Sequence, residues 1–186
     1  MKKVIVIYKS RYGFTKKYAH WIAQELGAEL MEAGRIRASD LKNYDVIIYG
    51  GGLYAGGVNG FSLIAKSFRS LADKSLYLFT VGAADVSDEK NINSIRSSLS
   101  KVLSAEMESK MNIFHFRGGI DYPRLSFIHR IMMSMMVKTI RKKPEAELSD
   151  EEKTMLATYG QVVDFTDISA ISDMIGRIKA GTMNIQ

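Results

Sequence analysis

Cysteine is absent from this chain, and proline occurs only 2 times in 186 residues. Without a thiol there is no disulfide scaffold, no thiolate metal or iron–sulfur site and no cysteine nucleophile. That absence suits a reducing compartment. Long apolar runs are missing too: no window approaches the roughly 18 apolar residues needed to span a bilayer. The chain enters a strand-like run at once, with no apolar leader and small-residue cleavage site, so a cytoplasmic protein is expected. Catalytic fingerprints are equally scarce. No Gly-x-Ser-x-Gly elbow, Walker loop or Gly-x-Gly-x-x-Gly turn is present, which disfavours a hydrolase, an NTPase and a classical NAD-binding dehydrogenase. His20, His115 and His129 stand alone, with no metal-ligand spacing, so no metal is expected and no histidine is assigned a catalytic role. The basic residues lack a zinc-finger or RNA-recognition signature, which disfavours nucleic acid.

The composition that remains, 46% hydrophobic and 25% charged, fits a globular chain with a substantial core. A single domain over residues 1–186 is expected. The net charge of +6 is unevenly placed. Arg117, Arg124, Arg130, Lys138, Arg141, Lys142 and Lys143 face only Asp121 within residues 117–143, whereas residues 144–186 are acidic. A cationic stretch followed by an acidic one says more about partners than the total does.

Apolar runs with strand composition fall at 3–8, 46–49, 75–81 and 112–117, with a weaker one near 28–37. They are continuous rather than alternating, as in a sheet covered on both faces. Helical periodicity fills the gaps. One helix ends at Gly27; a second uses Phe61, Ile64, Ala65, Phe68 and Leu71. A third, capped by Ser87 or Asp88, uses Ile92, Ile95, Leu99, Val102 and Leu103; a last one uses Ile168, Ile171, Ile175 and Ile178, with Gly181 just after it. Alternating strands and helices imply a parallel sheet with right-handed crossovers. The alternation breaks at 118–161, which reads as a helical insertion. Gly118-Gly119 and Tyr122-Pro123 mark a loop, residues 125–141 a Met-rich helix, and Ser149 to Glu152 a capping box. Val162 to Phe165 then reads as a short strand from which the final βα element resumes.

Three loops follow strands at one sheet edge. The first, Ser10-Arg11-Tyr12-Gly13-Phe14-Thr15, joins a strand to a helix start. Helix N-terminal amides attract anions and Gly13 permits a tight turn, so this loop can hold a phosphate. The second runs from Gly50 through Gly51, Gly52, Leu53, Tyr54 and Ala55 to Gly57; its glycines would let amides face a ligand, and Tyr54 could stack on a flat ring. The third carries Gly82, Ala83, Ala84 and Asp85. Ligands of doubly wound sheets sit outside such strand ends.

On these residues the chain resembles the flavodoxin-like family, whose phosphate loop is Thr/Ser-x-Thr-Gly-x-Thr. The resemblance implies a three-layer α/β/α sandwich with a five-stranded parallel sheet in order 2-1-3-4-5 and an insertion near strand 5. It implies FMN, its phosphate held by Ser10, Gly13, Thr15 and the intervening amides. Gly52, Leu53 and Tyr54 would border one side of the ring, and Gly82 to Asp85 the other. Tyr12 stands where the pattern has a threonine. The third loop lacks the aromatic that many electron-transfer flavodoxins place on the outer flavin face, which leaves that face open to a substrate. Tyr122-Pro123-Arg124, Arg130-Ile131-Met132 and Phe165-Thr166-Asp167 are similar to motifs of the flavodoxin-type protoporphyrinogen dehydrogenases, with His129 in place of an aspartate. That similarity implies an FMN-dependent dehydrogenase passing electrons from a porphyrinogen-like molecule to a quinone. The alternative is an electron carrier for a redox protein partner. A weaker third reading, a nicotinamide-dependent quinone reductase, lacks a nicotinamide motif. The basic Met-rich helix admits peripheral membrane contact through residues 125–143 or simple packing on the body.

Overall fold

The computed structural model describes residues 2–54 and 57–183, the side chains of the last two excepted. Its centre is a parallel sheet. Strands β1 (Val4–Lys9), β2 (Glu29–Glu32), β3 (Val46–Tyr54), β5 (Ser75–Gly82) and β6 (Met111–Arg117) lie in the order β2-β1-β3-β5-β6, and a short β4 (Gly57–Val58) pairs antiparallel with the end of β3. Counting the parallel strands alone, this is the expected 2-1-3-4-5 order.

The strands are apolar on both faces because both faces are covered. Successive side chains point to opposite sides of a sheet. Ile5, Ile7, Ile47, Tyr49, Leu76 and Leu78 therefore pack into one cluster, with Ile64 of α2 (Ser62–Ser67) and Ile95 of α3 (Glu89–Leu99). Val6, Ile48, Tyr77, Phe79 and Phe116 pack into the other, with Ala19 and Ile22 of α1 (Phe14–Leu26) and Met174 and Ile178 of α7 (Ser172–Met183). Each fully buried Ile or Leu contributes about 1.5–3 kcal/mol. The result is three layers, helix on sheet on helix.

Four boundaries differ from the sequence reading. The second glycine loop is largely strand: β3 runs through Gly50, Gly51 and Gly52, which pair with β1 and β5. These glycines serve packing. A Cβ at Gly50 would collide with the Phe79 ring, and one at Gly51 with Val58. Ala55 and Gly56 lie outside the described residues. The third helix stops at Leu99 rather than reaching Leu103; the chain turns so that Leu103 stays buried while Val102 is exposed. Ser104 then caps a short helix, α4 (Ala105–Lys110), accepting from the Met107 amide at 3.2 Å. At the other end, α7 runs on through Gly181 to Met183.

The fourth difference concerns the insertion. The strand at 162–164 does not rejoin the main sheet. It forms β8 (Val162–Asp164), antiparallel to β7 (Gly119–Asp121), with Asp121 opposite Val162. The insertion thus leaves and returns on a separate two-stranded ribbon, and residues 122–161 are the excursion between. The Phe165-Thr166-Asp167 segment ties the ribbon to the body. Phe165 N–H donates to Gly118 O at 2.8 Å, Lys17 Nζ donates to Thr166 Oγ1 at 2.8 Å, and the Asp167 amide donates to the Tyr18 hydroxyl at 3.1 Å.

The excursion holds α5 (Phe127–Ile140) and α6 (Asp150–Thr158), the latter opened by the expected capping box at Ser149 and Glu152. Only part of α5 packs inward: Val137 and Ile140 are buried, whereas Phe127 is 76% and Ile128 68% exposed. Among the described residues no helix is long and apolar enough to cross a membrane.

Candidate functional site

The first loop turns at Gly13, whose φ of 98° belongs to the left-handed region that glycine adopts readily. The Gly13 amide donates to Ser10 Oγ at 3.0 Å, which folds the loop on itself. From Phe14 the chain is helical, and its first amides have no partner inside the helix. No acidic side chain lies in this first turn. The end of α1 is an anion cradle of backbone N–H groups and positive helix dipole.

Beside it lies a cavity of about 200 Å³ with mostly apolar walls. Of the residues expected at the site, Tyr12, Phe14, Thr15, Leu53, Tyr54, Gly82 and Ala83 line it together. Ser10, Arg11 and Gly13 belong to the loop at its edge. Gly51 and Gly52 are behind it in β3, where a Cβ on Gly52 would press into the Tyr54 ring. Ala84 faces a second cavity instead. Asp85 is committed elsewhere. It takes an ion pair from Arg117 at 2.6 Å and hydrogen bonds from the Ser87 amide and hydroxyl. Those Ser87 bonds, with Arg117 behind them, hold its carboxyl below the usual range despite some burial.

The rest of the lining comes from beyond residue 117. Gly118, Gly119, Ile120, Leu125, His129, Met132 and Met133 complete the walls. The glycine doublet was legible in sequence only as a loop marker. Its role is close approach: a Cβ on Gly118 would run into Val81 and one on Gly119 into the Val163 carbonyl and the Phe14 ring, and Gly118 N–H donates to Gly82 O at 2.6 Å. His129 was the least expected. Its ring stacks on Tyr54, with centroids 5.3 Å apart and planes 19° apart. Its Nδ1 lies 2.7 Å from the Tyr12 hydroxyl. Tyr12 meets Tyr54 edge-on at 5.8 Å, and burial pushes the Tyr54 hydroxyl up to about 12. No local pattern announces a partnership across 117 positions.

The other histidines are far from this cluster. His20 is exposed on α1. His115 in β6 bonds Thr80 Oγ1 through Nδ1 at 2.7 Å, and burial pushes its pKa down to about 4. Among the described residues no group of three or more His, Asp or Glu could hold a metal ion.

A second cavity, of about 500 Å³, lies between the insertion and the body. Its walls include Met136 and Ile140 of α5, Met155 of α6, and Arg117 lying over the Phe165 ring at 4.2 Å. It shares Ala83 and Ile120 with the first cavity, so the two adjoin.

A doubly wound sheet with an anion cradle after its first strand and an apolar slot between the ends of β3 and β5 defines a protein that holds a phosphate-bearing flat cofactor. The particular family follows from comparison. Residues 5–147 match the family model for the flavodoxin domain, and the chain belongs to that family. No curated protein matches it. Among solved structures it is similar to a flavodoxin from the domain Archaea, at 14% identity and TM-score 0.42 over 73% of this chain and 97% of that one. A flavoprotein in complex with FMN from Lactobacillus acidophilus NCFM matches at 20% identity and TM-score 0.40, over 63% of this chain and 93% of that one. Flavodoxin 1 from Bacillus cereus matches at 18% identity and TM-score 0.38, over 62% and 84%.

The residues present fit FMN. A phosphate needs donors without competing acid, which the first turn of α1 supplies. A flat apolar ring needs slot walls, which Leu53, Tyr54, Gly82 and Ala83 supply.

Proposed function

We propose that this flavodoxin-family chain is an FMN-dependent oxidoreductase that takes electrons from a porphyrinogen-like molecule and passes them to a quinone. The observation that carries this reading is the second cavity. An electron carrier needs only an exposed cofactor edge, whereas a dehydrogenase needs a place for substrate beside the ring, and this apolar cavity adjoins the first at Ala83 and Ile120. The motifs shared with protoporphyrinogen dehydrogenases support the same reading.

FMN, when bound, supplies the two-electron chemistry. The chain's own residues do the rest. The Phe14 and Thr15 amides and the Ser10–Gly13 turn would hold the phosphate end. Leu53 and Tyr54 on one side, with Gly82 and Ala83 on the other, would orient the ring. Phe14, Leu125, Met132 and Met133 would give the slot apolar walls. Methionine suits a wall that must fit more than one shape.

The outer face of α5 supports access to apolar substrates at a membrane. Phe127, Ile128, Ile131, Met132 and Met135 are exposed along it, and Arg124, Arg130 and Lys138 flank them. Such a face suits an anionic interface. The same exposure is what favours the second reading, an electron carrier docking a redox protein.

The test is anaerobic. FMN-loaded protein is mixed with a porphyrinogen and menaquinone, and porphyrin fluorescence is followed. Flavin-dependent porphyrin formation that requires the quinone is the expected result. Fully loaded protein that forms no porphyrin yet reduces a redox protein would decide for the carrier.

A further inference from the structure

Two positions depart from the motifs that the rest of the chain follows: Tyr12 in the phosphate loop and His129 in the insertion. The fold bonds them to each other. Tyr12 Oη lies 2.7 Å from His129 Nδ1 and 3.3 Å from the Ser126 amide nitrogen. An amide can only donate, so the Tyr12 oxygen accepts from Ser126 and can give its own proton to Nδ1. An imidazole that accepts at Nδ1 carries its own proton on Nε2. That second nitrogen has no partner among the described residues, and it is not one of the buried orphaned atoms, so it is open.

The ring cannot easily turn away. It is stacked on Tyr54, and its backbone amide is tied to Ser126 Oγ at 3.4 Å. Around it the cavity wall is apolar, with Leu53, Met132 and Met133 among its members. A ligand that displaces water from this wall and offers an acceptor would pair with an N–H placed here.

We propose that His129 is a hydrogen-bond donor to the flavin ring, held in its Nε2–H form by the Tyr12 hydroxyl, and that it favours the reduced ring over the oxidised one. The proposal rests on FMN seating in this cavity and is independent of the substrate. The reduced ring carries more negative charge on its heteroatoms, and hydrogen bonds to charged acceptors are roughly twice as strong as neutral ones. In setting the potential Tyr12 is a positioning residue: its hydroxyl acts through the imidazole. The insertion thereby tunes a cofactor whose cavity it shares with the sheet edge.

The experiment uses the whole chain. Oxidised FMN is titrated into wild type, His129→Leu, His129→Gln and Tyr12→Phe, and the midpoint potential of the bound cofactor is measured. His129→Leu is expected to bind oxidised FMN nearly as well. Its preference for the reduced form should fall about tenfold, a drop of about 30 mV for a two-electron couple. His129→Gln keeps an N–H donor on the side chain and should recover most of that loss. Tyr12→Phe keeps the ring packing but releases the imidazole, and an intermediate drop is expected. It remains a test even if His129→Leu fails to fold. An unchanged potential in both His129→Leu and Tyr12→Phe overturns the proposal. Wild-type protein that takes up no FMN would instead overturn the seating on which it rests.

Discussion

The sheet edge and the insertion build the same cavity from opposite materials. The sheet side is closed on itself: Ile48, Tyr49, Leu78 and Phe79 are fully buried, and the glycines of β3 are there because Phe79 and Val58 leave no room for a Cβ. The insertion side is more open: large apolar side chains of α5 stand in solvent, and along that helix only Val137 and Ile140 are buried, with Tyr122 and Leu125 buried just before it. Its first turn is joined to the body through the hydroxyl of one tyrosine, which serves Ser126 and His129. A wall built this way can be altered with little effect on the core. The sheet edge gives the cavity a fixed wall, and the insertion gives it one that leaves apolar side chains in solvent.

The sharpest way to break this comparison is to remove the excursion. Because Asp121 and Val162 face each other across the β7–β8 ribbon, residues 122–161 can be replaced by an Asn-Gly turn. The shortened chain should fold and bind FMN, measured by quenching of flavin fluorescence, while porphyrinogen turnover is abolished. Failure to fold would place the insertion within the core.

Next in size is a cut on the sheet side. Phe79→Ala removes a fully buried ring packed near Phe116, at 5.7 Å between centroids. It should lower unfolding free energy by about 3–5 kcal/mol in denaturant titration. A loss below about 1 kcal/mol would mean the strand core is not as closed as its burial indicates.

A smaller effect should appear with pH. The folded pKa of His115, about 4, lies below its unfolded value of about 6.5. As pH falls the unfolded chain takes its proton first. Its contribution is therefore complete above pH 6.5 and is lost progressively down to about pH 4. The slope is at most about 1.4 kcal/mol per pH unit, trimmed by the part of the ring that meets solvent. Denaturant midpoints at pH 7 and pH 5 should converge for His115→Gln relative to wild type; identical pH dependence in both proteins would refute the assignment.

The smallest change is expected on the outer face of α5. Phe127→Ser should alter stability by no more than about 0.5 kcal/mol. It should nevertheless weaken sedimentation with vesicles containing anionic lipid if that face meets a membrane. A large stability loss would show that the exposed ring packs in solution.

Much of the frame was legible in the residues. Continuous apolar strands, helices at the 3.6-residue period and the Ser10–Thr15 loop after the first strand encode a doubly wound sheet with a phosphate cradle, because those signals are local. Tyr54, Leu53, Gly82 and Ala83 could be placed at the cavity for the same reason: each lies at or just past the end of a readable strand. The glycines at 50–52 misled, since a glycine run looks alike in a loop and in a strand that lies against an aromatic ring. The engagement of Asp85 with Arg117, the pairing of Gly119–Asp121 with Val162–Asp164 and the bond between Tyr12 and His129 carry no local signal. By itself the sequence determined the order of elements and the turn into α1 at Gly13, since backbone geometry and hydrophobic period act over a few residues. Only the tertiary structure decided which distant side chains close the cavity, because that depends on how the insertion is carried back over the sheet edge.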